Sequence, residues 1–296
     1  MTVKKIFVYG TGTMGRGIAQ TAAQAGLEAL FCNDVFPEEV EANIAIIRSG
    51  LDRKIKRGKM TEEQVDDVMG RIIPVTDIKA CNDADFIIET IIENVKIKQE
   101  AFKKLEKHSR ADVILASNTT SCSITEIASV LENPNRVVGF HFFNPAFIMK
   151  LVEIMPGLST DDNVVAQAKE VAIKLGKDPV VTKREAPAGV TSRILAGLLN
   201  EAVWVLHEGI ASAEDIDKAV VLGCNHKIGP LALIDLIGID IHLAKTKMLY
   251  NKTGDSRYRP CYLLEQMVAG GFLGKKSGKG FYDYTQEKPV PIKFIK

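Results

Sequence analysis

His141 and Glu153 are the two residues of this chain best suited to moving a proton. They lie within Gly139 to Glu153, GFHFFNPAFIMKLVE, where an apolar run holds the histidine, Asn144-Pro145 closes it and a carboxylate follows. An imidazole changes charge closest to neutral pH, so it can take and return a proton under cellular conditions. A neighbouring carboxylate would fix its tautomer and stabilise the imidazolium. Twelve residues separate the two, too many for one helical turn. The runs RVVGFHF and KLVEIM instead read as adjacent strands joined through the Asn-Pro turn. A core histidine with an unrelated surface glutamate is the competing explanation, and the rest of the chain has to decide between them.

A second constellation sits at the amino terminus. The strand-like run Lys5 to Tyr9 leads into Gly10-Thr11-Gly12-Thr13-Met14-Gly15, a helical pattern runs from Met14 to Ala25 before Gly26, and the next apolar run ends at Asp34. Strand, GxGxxG, helix, strand and acid follow one another at the spacing of a dinucleotide-binding unit. Gly10 permits the tight turn, Gly12 the approach of a pyrophosphate, and Gly15 close helix–strand packing, with the helix amino terminus facing the phosphates. Asp34 would accept hydrogen bonds from ribose hydroxyls and repel a 2′-phosphate. Val35-Phe36-Pro37 supply no arginine to welcome one, so NAD is favoured over NADP.

Two further clusters have ordinary explanations as well as chemical ones. Arg53, Lys54, Lys56 and Arg57 crowd the end of a helix spanning Glu38 to Arg57, as a solvated face or as an anion site for a phosphorylated substrate handle. Ser117-Asn118-Thr119-Thr120-Ser121 follows the strand VILAS. These residues suit turns and caps, and they also place hydroxyls at the sheet edge that carries the glycine-rich turn.

Strand and helix alternate through the first part of the chain, with further strands at Ile72 to Thr76, Asp85 to Thr90 and Asp178 to Thr182. That alternation implies βαβ units and a Rossmann-type, doubly wound, mainly parallel α/β sheet. After Lys183-Arg184-Glu185-Ala186 the pattern becomes wholly helical, with periods over Val190 to Gly209, Ser212 to Leu222 and Gly229 to Tyr250. The expected division is therefore 1–186 for nucleotide binding and 187–296 for a helical domain. The glycine- and lysine-rich end, Gly270 to Tyr282, reads as a tail or a phosphate-contacting loop.

Composition narrows the classes. The chain has 296 residues, 46% apolar and 25% charged, and a formal charge of +1. That balance gives no general attraction to nucleic acid or anionic membranes. The five cysteines are scattered without a CxxC pair, which argues against a disulfide framework or zinc site and for a reducing compartment. The amino terminus enters a strand at once, and no apolar run approaches the ~20 residues of a membrane span. The expected location is cytoplasmic.

Taken together, GTGTMGRGIAQTAAQAG, IIEN, SNTTS, GFHFFNP with MKLVE, EGIASAEDID, GPLALIDLIG and GKKSGKGFYDY resemble the 3-hydroxyacyl-CoA dehydrogenases. The similarity runs nearly end to end and is strongest to the short bacterial 3-hydroxybutyryl-CoA type. It implies His141 as catalytic base and Glu153 as its partner, acting on the 3-hydroxyl of an acyl-CoA as hydride passes to NAD. It implies cofactor contacts at Gly10, Gly12, Thr13, Met14, Gly15, Asp34, Glu93, Lys98, Asn118 and Asn144. Arg53, Lys54 and Arg57 fall where basic residues would meet the CoA nucleotide, with Thr120, His141 and Asn144 at the acyl end. The resemblance also implies a homodimer formed through the helical domain and a place in fatty-acid or butyrate metabolism.

Two departures touch the reacting end. The family's SNTSS reads SNTTS here, so Thr120 replaces a serine and keeps its hydroxyl. The family's PGFxVNR is Pro187-Ala188-Gly189-Val190-Thr191-Ser192-Arg193, so Ser192 stands in place of an asparagine, with Thr191 or Asn200 as possible substitutes for its amide. Losing one polarising donor costs roughly 10² to 10³ in rate in other enzymes. Alternatives therefore stay open: a dehydrogenase of a free hydroxy acid on the same scaffold, or a cofactor-binding protein without turnover.

Overall fold

The computed structural model describes residues 3–292, and the chain divides into two units after Gly189. The N-terminal unit begins β1 (Lys5–Tyr9), α1 (Thr13–Gln24), β2 (Glu28–Cys32), α2 (Glu39–Lys56), α3 (Glu62–Gly70) and β3 (Ile72–Val75). It continues with β4 (Phe86–Glu89), α4 (Val95–His108), β5 (Ile114–Ser117), α5 (Ile124–Ala128), β6 (Val137–Phe142), β7 (Leu151–Pro156), α6 (Asp162–Lys174) and β8 (Asp178–Val181). These strands form one sheet in the order β3-β2-β1-β4-β5-β6-β7-β8. Every pairing is parallel except β6 with β7. The first six strands thus have the Rossmann order, and the expectation of a mainly parallel doubly wound sheet is borne out.

Both faces of this sheet are covered, which is why its strands are nearly continuous apolar runs rather than alternating ones. Ile6 and Val8 of β1 pack with Ile18, Phe86 and Phe140 on one side. Phe7 and Tyr9 point the other way, onto Ile87, Phe102 and Leu115. Local signals set the helix starts. Thr61 and Gln64 form the reciprocal capping box expected for α3, and Asn94 accepts from Lys96 N–H and Ile97 N–H to open α4.

The C-terminal unit is helical: α7 (Thr191–His207), α8 (Ala213–Gly223), α9 (Pro230–Ile237), α10 (Ile239–Thr253) and α11 (Tyr262–Ala269). Leu199, Val203, Leu231, Ile234, Leu264 and Phe281 belong to its core. The period expected to run unbroken from Gly229 to Tyr250 is two helices, because Gly238 takes φ +108 and ends α9.

The glycine- and lysine-rich end is not a loose tail. Asp235 accepts from Phe281 N–H at 2.9 Å, Tyr282 N–H at 3.0 Å and the Tyr284 hydroxyl at 3.0 Å. Gly280 makes that approach possible, since a Cβ there would lie 1.9 Å from Asp235 Oδ1. Burial raises the Asp235 pKa to about 6, against the pull of these donors.

Candidate active site

The antiparallel pair β6–β7 sets the centre of the site. Its register makes His141 and Glu153 direct cross-strand partners, so both side chains leave the sheet on one face. His141 Nδ1 lies 3.6 Å from Glu153 Oε2, with the Glu153 side chain fully buried. Burying a carboxylate costs several kcal/mol unless charge and hydrogen bonds compensate, and apolar packing would serve stability better. That cost favours a chemical use for the pair over a plain core histidine. On the far side of the ring, His141 Nε2 is 3.0 Å from Thr120 Oγ1. At 3.6 Å Nδ1 makes no hydrogen bond and faces the carboxylate as a charge partner, while Nε2 is the nitrogen turned to the Thr120 hydroxyl.

The loop between β5 and α5 holds Thr120 in place. Glu93 Oε1 accepts from Thr119 Oγ1 at 2.6 Å, Thr120 N–H at 2.9 Å, Ser121 N–H at 2.7 Å and Ser121 Oγ at 2.9 Å. Burial acts upward on this carboxyl, but Lys98 and the hydroxyl and N–H donors outweigh it and hold its pKa at about 2. Asn118 accepts from Phe142 N–H at 2.8 Å, tying this loop to the residue after His141. Lys98, expected to face the cofactor, is fully buried. Its ammonium lies 2.6 Å from Glu89 Oε1 and 3.4 Å from Glu93 Oε2, because a buried charge needs a partner. Ser117 Oγ also donates to Glu89 at 2.6 Å.

The glycine-rich turn has the features a dinucleotide needs. Gly10 takes φ +111, and a Cβ on Gly15 would lie 1.9 Å from the Gly10 carbonyl oxygen. A Cβ on Gly12 would meet nothing within 4 Å, so the backbone there stands open to a ligand. A cleft of ≈ 780 Å³ is lined by Gly10, Gly12, Asp34, Thr90 and Lys104 among others, a volume suited to a nucleotide. Tyr9 donates its hydroxyl to Asp34 Oδ1 at 2.5 Å. A second cleft, ≈ 260 Å³, is lined by Thr13, Arg16, Arg53, Asn144 and Phe147. Lys54 lies over the Phe147 ring, 5.6 Å from its centroid, whereas Arg57 is exposed at the end of α2.

Met14 is half-buried near the start of α1. Ser192 belongs to the first turn of α7, 9% exposed, in the C-terminal unit. Asn200 is not a stand-in for the missing amide, because its Nδ2 donates to the carbonyls of Arg257 and Arg259.

Sequence reasoning places Thr119 and Ser121 only within a hydroxyl cluster, and gives Tyr9 no role at the site. Tyr9 had a visible signal: it pairs in register with Cys32, two residues before Asp34. Among the described residues there is no group of three or more His, Cys, Asp or Glu arranged to hold a metal.

A Rossmann-order sheet, an open glycine-rich turn with an acid beyond β2, and a buried histidine–carboxylate pair define an NAD-dependent dehydrogenase. The chain belongs to the 3-hydroxyacyl-CoA dehydrogenase family. The model of that family's NAD binding domain matches residues 5–186, and that of its C-terminal domain residues 190–284. A probable 3-hydroxybutyryl-CoA dehydrogenase of Bacillus subtilis is 45% identical over 287 residues, covering 97% of this chain and 99% of that protein. The 3-hydroxybutyryl-CoA dehydrogenase of Bradyrhizobium diazoefficiens is 40% identical, covering 98% and 99%. The crystal structure of (S)-3-hydroxybutyryl-CoA dehydrogenase PaaH1 from Ralstonia eutropha superposes with a TM-score of 0.92 at 41% identity, covering 96% of this chain and 100% of that one.

Proposed function

We propose that this protein interconverts a short (S)-3-hydroxyacyl-CoA and its 3-oxoacyl-CoA with NAD, of which 3-hydroxybutyryl-CoA and acetoacetyl-CoA are the leading pair. The observation that carries this reading is the His141–Glu153 pair with Thr120 on the opposite ring nitrogen. NAD, when bound, supplies the two-electron acceptor. In the oxidative direction His141 Nε2 takes the proton of the 3-hydroxyl, and Glu153 stabilises the imidazolium that results. In the reductive direction the imidazolium returns that proton to the ketone oxygen. Thr120 offers its hydroxyl to the same oxygen. Gly12, Thr13 and the start of α1 would hold the pyrophosphate, and Asp34 the adenine ribose.

Arg53, with Lys54 and Arg57 on the same helix end, is proposed to meet the phosphates of CoA. The helical unit is proposed to pair with a second copy, since Ile194, Leu222 and Leu236 expose 60% or more of their surface. No helix among the described residues is long and apolar enough to cross a membrane; a cytoplasmic place in fatty-acid or butyrate metabolism is proposed from the family resemblance alone.

The deciding assay follows NADH oxidation with acetoacetyl-CoA beside free acetoacetate, with NADPH as control. Turnover confined to the thioester and NADH supports the reading. Turnover of free acetoacetate would replace it with a free hydroxy-acid dehydrogenase. NADH binding without turnover of either would mean that Thr120 and Ser192 have changed the substrate or ended catalysis.

A further inference from the structure

Glu89 ends β4 as a fully buried carboxylate in a short strand that is otherwise apolar, Phe86-Ile87-Ile88-Glu89. An apolar side chain would serve the packing of that strand better than a buried acid. What the acid does instead is collect donors. Its Oε1 accepts from Lys98 Nζ at 2.6 Å and from Ile91 N–H at 2.7 Å, and its Oε2 accepts from Ser117 Oγ at 2.6 Å. Burial raises the Glu89 pKa against the pull of Lys98, Ser117 and Ile91.

These contacts lead to two points of the loop that carries Thr120. Ser117 is the in-register neighbour of Glu89 on β5 and the last residue before that loop. Lys98, fully buried as well, reaches on to Glu93 Oε2 at 3.4 Å. The other oxygen of Glu93 accepts the Thr120 and Ser121 N–H groups at 2.9 and 2.7 Å. One buried carboxylate thus grips the loop where it leaves the sheet and, through Lys98 and Glu93, at Thr120 and Ser121. Between these ties the Thr120 hydroxyl lies 3.0 Å from His141 Nε2.

We propose that Glu89 is a positioning residue, which holds the Thr120 hydroxyl at its distance from His141 without touching either. The acid matters as well as the shape. Glutamine fits the same space, but it offers one oxygen where Glu89 uses two, and its NH2 group would face either Lys98 or Ser117. The Asn118 N–H bond to the Glu89 backbone carbonyl, at 2.8 Å, does not involve the side chain, so the substitution isolates the carboxylate. The inference rests on the proposed function in taking Thr120 as part of the reacting end.

The test combines Glu89→Gln and Thr120→Val in a double-mutant cycle. It is read by amide hydrogen exchange of the free protein and by kcat with acetoacetyl-CoA at saturating NADH. Glu89→Gln should speed exchange at Thr120 and Ser121 ~10-fold or more beyond any change at Gly139 and Phe140 in β6. It should lower kcat ~10-fold or more in the wild-type background and less than about twofold in Thr120→Val.

Unaltered exchange at Thr120 and Ser121, or an equal rise in β6, would overturn the proposal. So would an unchanged kcat, or the same loss in both backgrounds. Should Glu89→Gln fail to fold, Ser117→Ala decides by the same readouts, because it removes one donor and leaves every charge in place. Faster exchange at Thr120 and Ser121 with a kcat loss of about threefold or more supports the proposal, and wild-type values refute it. Because exchange needs no substrate, inactivity toward every hydroxyacyl-CoA would defeat the proposed function while the exchange rates still decide whether Glu89 holds the loop.

Discussion

Glu153 stands directly across the β6–β7 ladder from His141, with Oε2 3.6 Å from Nδ1. The ring is therefore presented with one nitrogen toward the carboxylate and the other toward Thr120. That polarity is what a proton shuttle requires, with a charge partner on one side and the proton moving on the other. Replacing Glu153 by Gln keeps the shape and removes the charge. We expect kcat to fall ~10²-fold or more with little change in KM, measured by steady-state NADH oxidation. A loss smaller than about threefold would reduce Glu153 to a packing residue.

His141→Gln removes the proposed proton carrier without touching the glycine-rich turn. Turnover should drop by ~10² to 10⁴, while NADH affinity by isothermal titration stays within about threefold. Parallel loss of NADH binding would show that the ring holds the cofactor.

Thr120 offers a sharper comparison. Thr120→Ser retains the hydroxyl 3.0 Å from Nε2 and should keep most of the activity. Thr120→Val is close in size but cannot hydrogen-bond, and should cost roughly 10² in kcat. Similar rates for the two variants would remove the hydroxyl from the mechanism.

Cofactor choice should follow Asp34 and the Tyr9 hydroxyl that holds it. Asp34→Ala is expected to raise the KM for NADH ~10-fold and to narrow the preference over NADPH. Tyr9→Phe should act in the same direction, more weakly, by freeing the carboxylate. Unaltered cofactor constants in both would place the ribose elsewhere.

Glu93 links the Thr119–Ser121 loop to acid stability. Its folded pKa of about 2 lies below the ordinary 4.5, so the stabilisation is complete above pH ~4.5 and is lost as the pH falls toward ~2. The side chain is 38% exposed, so solvent screening reduces the contribution to about 1–2 kcal/mol. Thermal melts of wild type and Glu93→Gln should converge as the pH drops from 5 to ~2.5. Curves that stay parallel over that range would assign the acid sensitivity to other groups.

Much of this was legible in the sequence, for physical reasons. The glycine-rich turn, its acid and the capping box at Thr61 are local signals, because each follows from a few consecutive residues. The His141–Glu153 register was legible because strand alternation and one turn determine it. What escaped was long-range. The burial of Lys98 between Glu89 and Glu93 depends on how α4 settles against β4. The packing of Gly280 against Asp235 joins residues far apart in sequence, so glycine and lysine content alone suggested a tail. The break at Gly238 lies inside a continuous apolar period, where only the observed φ reveals it.

The reversal of chain direction at β7 has a consequence for how such a protein can diversify. Parallel sheets usually assemble their chemistry from loops at strand ends. Here the proposed acid–base couple is held by a backbone ladder, and a slip of one residue in either strand would turn that strand's member to the wrong face. The ladder is thus fixed by geometry, while the end of α2 and the loop that follows it can vary around it. New selectivities can be tried in those segments without re-inventing the proton transfer.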